Sequence, residues 1–415
     1  MSKQVKTITL GCRLNSYESE IIKNYKNISK YKDVIVVNTC AVTAEAERQA
    51  RQTIRKTKRL NPEAYIMATG CAVEVNQSLW RNMPEVDNII SNNNKLIPEL
   101  WGLKPDINNP IAIKEDAKHL NLLKNTNKSK SFVRIQNGCN HSCTFCVITI
   151  ARGKSKSVPA GNIIKEIKNI VNMGINEVIL TGVDLTSYGE DLPGKNNLGK
   201  LVKKILKLVP DLKRLRISSL DAAEIDDDLI EVFKYDKRLM PHLHLSLQSH
   251  DDLILKRMKR RHSTVMAEKL IDRLRNVRPN ILFGADLIAG FPTETEEAHN
   301  NTMRAIEKLN LTFLHVFPYS SRPGTAAAKM PQIKTSIAKE RAKDLRDLGE
   351  KQLKKQLHKE VGSTQNVLVE TETGIGHSEN FLTTKVIEAS KRKVYKCKII
   401  GVEKNMLLGK IYGSF

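Results

Sequence analysis

Between Phe132 and Phe317 the sequence repeats one pattern about six times, a short apolar strand followed by an amphipathic helix. The helical spacing is clearest in Asn162–Asn172 and Thr295–Lys308. Strands that alternate with helices pair in parallel, so these units predict a partial or full β/α barrel with its active site at the C-terminal strand ends. The predicted strands are Phe132–Gln136, Glu177–Leu180, Arg214–Ser218, His242–Leu245, Ile281–Asp286 and Phe313–Phe317.

The segments on either side of this repeat predict two further domains, which makes the chain an α/β protein with a β-rich end. Residues 1–125 alternate strands with helices and predict an open parallel α/β domain. Its strands are Lys6–Leu10, Asp33–Val37, Tyr65–Ala68 and Val86–Ile90, and its helices are Tyr17–Ser29 and Glu45–Arg59. The polar stretch Lys124–Lys130 reads as a linker to the barrel domain, residues 130–350.

The last part of the chain changes character after a charged helix, Ser336–Lys359. Residues 356–415 contain short alternating strands separated by glycine and charged turns, which predict a small antiparallel β-barrel. Its strands are Gln365–Glu370, Phe381–Ile387, Val394–Ile400 and Met406–Ile411.

Three cysteines with the spacing C-x3-C-x2-C follow directly on the first barrel strand: Cys139, Cys143 and Cys146. Thiolates this close in sequence can surround one inorganic centre, and the missing fourth cysteine leaves a coordination position for a substrate or cofactor. An iron–sulfur cluster suits such soft ligands. The alternatives are a zinc ion with His141 as fourth ligand, or three unrelated buried thiols.

A second set of cysteines is scattered in sequence, but each member follows an N-terminal strand: Cys12, Cys40 and Cys71. Because the C-terminal ends of parallel strands meet at one edge of a sheet, these thiols are expected to converge there and to hold a second cluster. Any one of them, taken singly, is better interpreted as a small buried core residue, and only the three together favour a cluster. Cys397 lies inside a predicted strand and is interpreted as a core residue.

Composition bears on the environment and the partners of the protein. Seven cysteines, no apolar N-terminal signal and no apolar stretch of bilayer-spanning length predict a reduced, cytoplasmic protein without a membrane partner. The formal net charge of +23 favours a polyanionic partner. A proteome generally rich in lysine would produce the same excess.

Several stretches resemble the radical S-adenosylmethionine (SAM) methylthiotransferases, and the likeness covers nearly the whole chain. They are TLGCRLNSYESE at 9–20, VVNTCAVT at 36–43, ATGCAVE at 68–74 and NGCNHSCTFCVITIARG at 137–153. The resemblance implies an N-terminal methylthiotransferase domain, a radical SAM barrel and a C-terminal RNA-binding barrel of the TRAM type. It also implies two 4Fe–4S clusters, one on each cysteine triplet, and SAM as the source of both the methyl group and a radical.

The resemblance further implies which residues bind SAM and which molecules the enzyme meets. The expected cofactor contacts lie at the barrel strand ends: Phe145, Thr181, Gly182, Ser218 and Gln248. Three branches of the family differ in target, and the words GCRLNSYES, NTCAVT and LKRMKRRHS resemble the branch that modifies threonylcarbamoyladenosine in tRNA. The other branches modify isopentenyladenosine in tRNA or a ribosomal protein, and the positive charge disfavours the latter, basic target.

The implied partners are therefore a tRNA anticodon stem-loop, an electron donor such as a flavodoxin or ferredoxin, and a system that supplies sulfur and clusters. The basic residues offered as RNA contacts are Lys256–Arg261, Arg322 and Lys391–Lys393. The alternatives for these three are, in the same order, a solvated helix end, a surface ion pair and a β-turn that carries charge. A different class of function also fits these features, namely a non-catalytic RNA-binding protein in which a metal only braces the fold.

Overall fold

The computed structural model describes residues 5–24, 33–97, 100–101 and 128–414. At the N-terminus four parallel strands form one sheet in the order β1–β2–β3–β4, and β2 is buried along its whole length. The strands are β1 (Lys6–Thr9), β2 (Val34–Thr39), β3 (Tyr65–Gly70) and β4 (Asn88–Ile90). The helices are α1 (Arg13–Lys23), α2 (Ala44–Leu60), α3 (Cys71–Val75) and α4 (Gln77–Arg81).

The two ends of helix α2 carry residues that are typical of helix termini. The Thr43 side chain accepts a hydrogen bond from the Ala46 N–H, and acidic residues lie in the first turn. Lys58 and Arg59 lie in the last turn, where they offset the negative end of the helix dipole. Helix α1 differs from its prediction because it begins at Arg13, four residues before Tyr17, while residues 25–29 of that prediction lie outside the described residues.

The central part of the chain contains six parallel strands that form two three-stranded sheets, β5–β8–β9 and β10–β11–β12. Bridges between Leu215 and Leu239 and between Leu220 and Leu245 join the two sheets into one curved wall. The strands are β5 (Lys130–Arg134), β8 (Glu177–Thr181), β9 (Arg214–Ile217), β10 (His242–Gln248), β11 (Leu282–Ala289) and β12 (Leu311–Pro318), and the short pair β6 (Gln136–Asn137) and β7 (Lys156–Ser157) follows β5.

Helices cover the outer face of this wall, namely α6 (Ala160–Asn172), α7 (Leu198–Leu208), α8 (Asp227–Tyr235), α10 (Thr264–Val277), α11 (Glu296–Lys308) and the long α12 (Thr335–Glu360). Two short helices lie elsewhere: α5 (Ile148–Arg152) packs against the N-terminal sheet, and α9 (Asp252–Arg257) packs in a small cluster with Phe291. Outward-facing strand residues such as Val133, Leu243 and Leu287 pack into one large apolar core with the helices of the outer face. The alternate strand positions face the lumen, and many of them are polar. The predicted α/β barrel is confirmed.

The C-terminal segment is a closed five-stranded barrel in the order β13–β14–β15–β17–β16. Its strands are β13 (Thr364–Val369), β14 (Ile375–His377), β15 (Thr383–Val386), β16 (Val394–Glu403) and β17 (Met406–Ser414). Four of these strands correspond to predicted ones, whereas β14 was missed. Cys397 is fully buried against Val367, Val369 and Val386, so its interpretation as a core residue is confirmed.

This small barrel packs under the N-terminal ends of the central strands. The guanidinium groups of Arg214 and Arg216 both lie within 3.0 Å of a Glu177 carboxylate oxygen and donate hydrogen bonds to the Ser378 carbonyl. The Phe381 ring stacks on His242 in the lumen. The predicted linker lies outside the described residues up to position 127, and within the described ranges no helix is long and apolar enough to cross a membrane.

Candidate iron–sulfur and S-adenosylmethionine site

Cys139, Cys143 and Cys146 lie on the loop after β6, at the C-terminal end of the central strands. Hydrogen bonds fix this loop against the barrel. The Thr144 hydroxyl donates to the Arg257 carbonyl at 2.8 Å, and the Thr144 carbonyl accepts from the Ala327 N–H at 2.9 Å. The loop is therefore held in place by the barrel and not by its own short sequence alone.

Each of the three sulfur atoms has an N–H donor nearby. The His141 and Ile148 N–H groups lie 3.4 Å from the sulfurs of Cys139 and Cys146, and Arg260 Nη1 lies 3.5 Å from the sulfur of Cys143. Burial raises the pKa of Cys139 to about 12 and that of Cys146 to about 11. Such donors stabilise the thiolate form that a metal centre needs.

The spacing of the sulfur atoms distinguishes a cluster from a single metal ion. Among the described residues, neither cysteine triplet brings its three sulfurs within 4.8 Å of one another. The compact group at this loop contains Cys139 with His141 and Asp184, without the other two cysteines. A zinc ion bound by three cysteines and His141 therefore fits this geometry poorly, whereas a larger polynuclear centre fits the donor set.

Gln136 connects the cysteine loop to the end of β8. Its side chain is fully buried, donates to the Gly138 carbonyl at 2.7 Å, and accepts from the N–H groups of Val183 and Asp184 at 3.0 and 2.9 Å. Asp184 in turn lies 2.7 Å from His141 Nε2 and 3.8 Å from the Cys139 sulfur. The sequence singled out neither Gln136 nor Asp184, although both lie beside predicted site residues.

The predicted cofactor contacts follow consecutive strands around the same end of the barrel. Thr181, Gly182 and Ser218 lie at the ends of β8 and β9, and Ser218 N–H donates to the Leu180 carbonyl. Gln248 ends β10 with a left-handed backbone, φ 66°, where the pairing with β11 shifts register. Phe145 instead packs edge-on against Phe291, with ring centroids 6.4 Å apart.

The second cysteine triplet gathers at the C-terminal edge of the N-terminal sheet. Gly11 has φ +97°, and a Cβ on it would lie 2.6 Å from the Cys40 Cβ, so only glycine lets the residue before Cys12 approach Cys40 this closely. Burial raises the pKa of Cys40 to about 11, and interactions with the Cys12 and Cys71 thiols add to the increase. The three thiols therefore form one electrostatically coupled group.

Arg152, at the end of α5, connects the two cysteine sites. Its side chain is buried and reaches from the barrel into the N-terminal domain. It lies 3.2 Å from the Cys71 sulfur, 2.6 Å from Asn15 Oδ1 and 2.8 Å from Glu18 Oε1. Arg152 was within a quoted motif but was given no role.

The structure corrects the interpretation of several basic residues as RNA contacts. Arg260 and Arg261 turn inward to Asp221, and Arg257 donates to the Thr293 hydroxyl at 2.7 Å. Arg322 is buried and forms an ion pair with Glu47 of α2 at 2.8 Å. Arg392 donates to the Met173 carbonyl and so joins the small barrel to the central one. These side chains form hydrogen bonds or ion pairs within the protein.

A three-cysteine loop at the C-terminal end of a six-stranded parallel wall defines the class of radical SAM enzymes. Residues 133–306 match the Radical SAM superfamily, and residues 4–91 match an uncharacterized protein family, UPF0004. Among solved structures, the radical SAM methyltransferase TsrM from Kitasatospora setae aligns with a TM-score of 0.52 at 14% identity, covering 76% of this chain and 67% of that chain. That likeness concerns the fold alone.

Curated relatives place the chain within this class. It is 47% identical to the threonylcarbamoyladenosine tRNA methylthiotransferase MtaB of Rickettsia prowazekii (strain Madrid E), with 96% of each chain covered. It is 34% identical to MtaB of Aquifex aeolicus (strain VF5), covering 94% of this chain and 96% of the relative. The tRNA-2-methylthio-N(6)-dimethylallyladenosine synthase of Ehrlichia canis (strain Jake) is 31% identical, covering 88% and 87%.

The chain therefore belongs to the family of radical SAM methylthiotransferases that contains these proteins. Membership implies SAM and a 4Fe–4S cluster as cofactors. The cysteine loop described above offers three thiols, each with an N–H donor near its sulfur, as ligands for such a cluster.

Proposed function

We propose that the protein adds a methylthio group to C2 of the adenine in N6-threonylcarbamoyladenosine, next to the anticodon of tRNA. The MtaB relatives support this target, because their similarity is greater than that of the dimethylallyladenosine enzyme. The net charge of +23 suits a polyanionic substrate.

The observation that carries the proposal is the position of the second cysteine triplet beside the first. Arg152 lies in α5, just after the cysteine loop, and donates a hydrogen bond to the Cys71 sulfur. The pKa of Cys146 is raised mainly by burial, and the Cys71 thiol contributes to the same increase. In our proposal Cys12, Cys40 and Cys71 hold a second 4Fe–4S cluster that presents the sulfur to be transferred.

The residues of the chain have distinct roles in this proposal. When bound, the cluster on Cys139, Cys143 and Cys146 supplies the electron that splits SAM. Gln136 fixes the backbone of Val183 and Asp184, so that Asp184 can receive the amino group of the SAM methionine portion. Thr181, Gly182, Ser218 and Gln248 contact the rest of SAM. Phe145 packs against Phe291 and so supports the cysteine loop. Arg260 holds the Cys143 thiolate through its bond to that sulfur.

Further parts of the proposal concern domains and partners. We propose three domains, residues 1–125, 130–350 and 356–415, of which the last binds the tRNA anticodon stem-loop. A flavodoxin or ferredoxin would supply electrons, and a sulfur and cluster assembly system would load the N-terminal site. Contact with tRNA and with these donors requires a cytoplasmic location.

Nucleoside mass spectrometry tests the target. The chain is expressed in a bacterial strain that lacks its own threonylcarbamoyladenosine methylthiotransferase, and tRNA nucleosides are compared with those of the empty strain. We expect the methylthio-threonylcarbamoyl product to appear, and to be absent with a Cys139→Ala variant. Appearance of the dimethylallyl product instead would refute the proposed target, and no new product with a fully assembled enzyme would refute the function.

A further inference from the structure

Three polar side chains from neighbouring strands meet in the barrel lumen, below the expected SAM position. They are His244 of β10, Asp286 of β11 and His315 of β12, and register pairs Asp286 with His315. His244 Nε2 lies 3.0 Å from Asp286 Oδ1, and His315 Nδ1 lies 3.3 Å from the same oxygen. Gly284 leaves room for the His244 ring, because a Cβ at Gly284 would collide with it. We name this group the lumen triad.

The lumen triad is open to a ligand. The His315 side chain is 60% exposed and that of Asp286 is 22% exposed, whereas His244 is 6% exposed. The two imidazole rings lie 4.4 Å apart between centroids and are tilted by 33° relative to each other. Asp286 therefore orients both rings through one oxygen, and His315 can still offer its other ring nitrogen to an incoming group.

A fourth polar group comes from the N-terminal domain. Arg13, next to Cys12, interacts electrostatically with Asp286 and Glu177, and its guanidinium carbon lies 5.9 Å from the centre of the Phe381 ring. Within the described ranges, no carboxylate lies close enough to form an ion pair with Arg13, and no hydrogen bond of its side chain is found. A partly buried cation without a bonded partner is costly unless an anion binds it.

The charges decide which kind of ligand fits. His244, Asp286 and His315 have ligand atoms within 4.8 Å of one another, which is compatible with a divalent metal ion. The positive guanidinium of Arg13 disfavours a second cation at that place, whereas it favours an organic anion. A ligand with one carboxylate and several hydrogen-bonding groups would satisfy Arg13 and the imidazoles together.

We propose that Arg13 and the lumen triad form the pocket that recognises the N6 substituent of the substrate adenosine. This inference rests on the proposed function and names its specificity-determining residues. The threonylcarbamoyl group carries a carboxylate, a hydroxyl and a urea, so the carboxylate binds Arg13 and the remaining groups bind the free ring nitrogen of His315, which Asp286 orients. A dimethylallyl group offers none of these partners and would leave Arg13 unpaired in the pocket.

The test pairs a change in the protein with a change in the substrate. Two synthetic anticodon stem-loops carry threonylcarbamoyladenosine either with its free carboxylate or as its methyl ester, and the full-length reconstituted enzyme acts on both. We expect the wild-type protein to prefer the free acid by about 10- to 100-fold in kcat/KM. Arg13→Gln should remove most of this preference by lowering kcat/KM for the acid, with the ester changed by less than about 3-fold.

Two further variants and a control sharpen the result. Arg13→Lys should restore part of the preference, because it keeps the charge. His315→Phe, at an exposed position, should also lower kcat/KM selectively for the acid. Arg346→Gln on α12 serves as the control, since Arg346 is exposed and outside the lumen, and it should leave the preference unchanged.

Binding of the same stem-loops, followed by fluorescence anisotropy, gives a readout that does not depend on turnover. The same loss of acid preference is expected in Kd for Arg13→Gln, even if the catalysed reaction proves different from the proposed one. Equal effects of Arg13→Gln on acid and ester would overturn the pocket. One equivalent of a metal other than iron in the wild type, lost in His315→Phe, would overturn it in favour of a metal site.

Discussion

At the scale of single residues, Arg152 contacts both the second cysteine triplet and the polar residues that surround it, although sequence analysis assigned it no role. Its buried guanidinium faces Glu18 as an ion pair at 2.8 Å, and Lys95 lies 2.5 Å from the other oxygen of that carboxylate. Burial would raise the pKa of Glu18, but these two cations hold it lowered to about 2. An arginine can bind Glu18, Asn15 and Cys71 at once because its donors form a planar fork.

We predict that Arg152→Lys weakens both the fold and the N-terminal cluster site. Lysine keeps the positive charge but lacks the planar fork of donors that binds Glu18, Asn15 and Cys71 together, so the thermal midpoint of the unloaded protein should fall by several degrees. The electron paramagnetic resonance signal of one reduced cluster should shift while the other is retained. Arg48→Lys, in an exposed ion pair with Glu45, is the matched control and should change neither; equal effects in both variants would contradict this role.

The sequence could supply the six cysteines but not the residues that arrange them. Cysteine spacing and position after strands are local patterns, and they predicted two converging sets. Arg152 and its partners Glu18 and Asn15 are separated by more than a hundred positions, and each is an ordinary polar residue of a helix. Nothing local distinguishes a buried arginine from an exposed one. For the same reason the sequence did not predict the inward position of Arg260, and it left open whether Arg322 contacts phosphate or forms an ion pair.

At the scale of elements, the same limit explains which boundaries were wrong. Apolar periodicity predicted the six barrel strands because their outer faces pack into one core. Helix α1 was placed too late, because the buried positions in its first turns include Asn15, Glu18 and Ser19. Strand β14 was missed because it is only three residues long and its middle residue is Gly376. The predicted strand from Phe381 begins too early, since Phe381 has φ 74° in a loop.

The contact between α1 and α6 provides a prediction about pH. Burial raises the pKa of Glu166 to about 7, although the Arg134 charge and the Tyr17 hydroxyl oppose the shift. A raised folded-state pKa gives a contribution to stability that is full below the unfolded value, 4.5, and is lost as the pH rises through about 7. The wild type therefore loses stability from this group between these pH values, by at most about 3 kcal/mol.

Glu166→Gln removes that titration while keeping an acceptor for the Tyr17 hydroxyl. The thermal midpoint of the variant relative to wild type should rise by several degrees between pH 5 and pH 8, measured at one scan rate on the unloaded protein. The exposed Glu340→Gln on α12 is the control and should show no such trend. A constant difference between Glu166→Gln and wild type across this range would show that Glu166 does not titrate there.

At the scale of the whole molecule, both flanking domains close the central barrel. The N-terminal domain contributes Arg13 to the lumen, and the small barrel inserts Phe381 between His242 and His377. Arg216 and Arg13 both lie over the Phe381 ring, at 5.1 and 5.9 Å from its centre. The lumen is therefore bounded by all three parts of the chain, and a domain removed from the others would leave it incomplete.

The two cysteine triplets are separate sites in this arrangement, so their metal contents should be independent. Anaerobically reconstituted wild-type protein should contain about eight irons and eight sulfides, as two 4Fe–4S clusters require. Replacing Cys12, Cys40 and Cys71 by alanine should leave about four irons, and so should replacing Cys139, Cys143 and Cys146. Cys397→Ala should keep the full content, because Cys397 is buried in the small barrel away from both triplets. Elemental analysis measures iron and zinc in the same sample. Stoichiometric zinc that is lost when either cysteine triplet is replaced would mean that the metal only stabilises the fold.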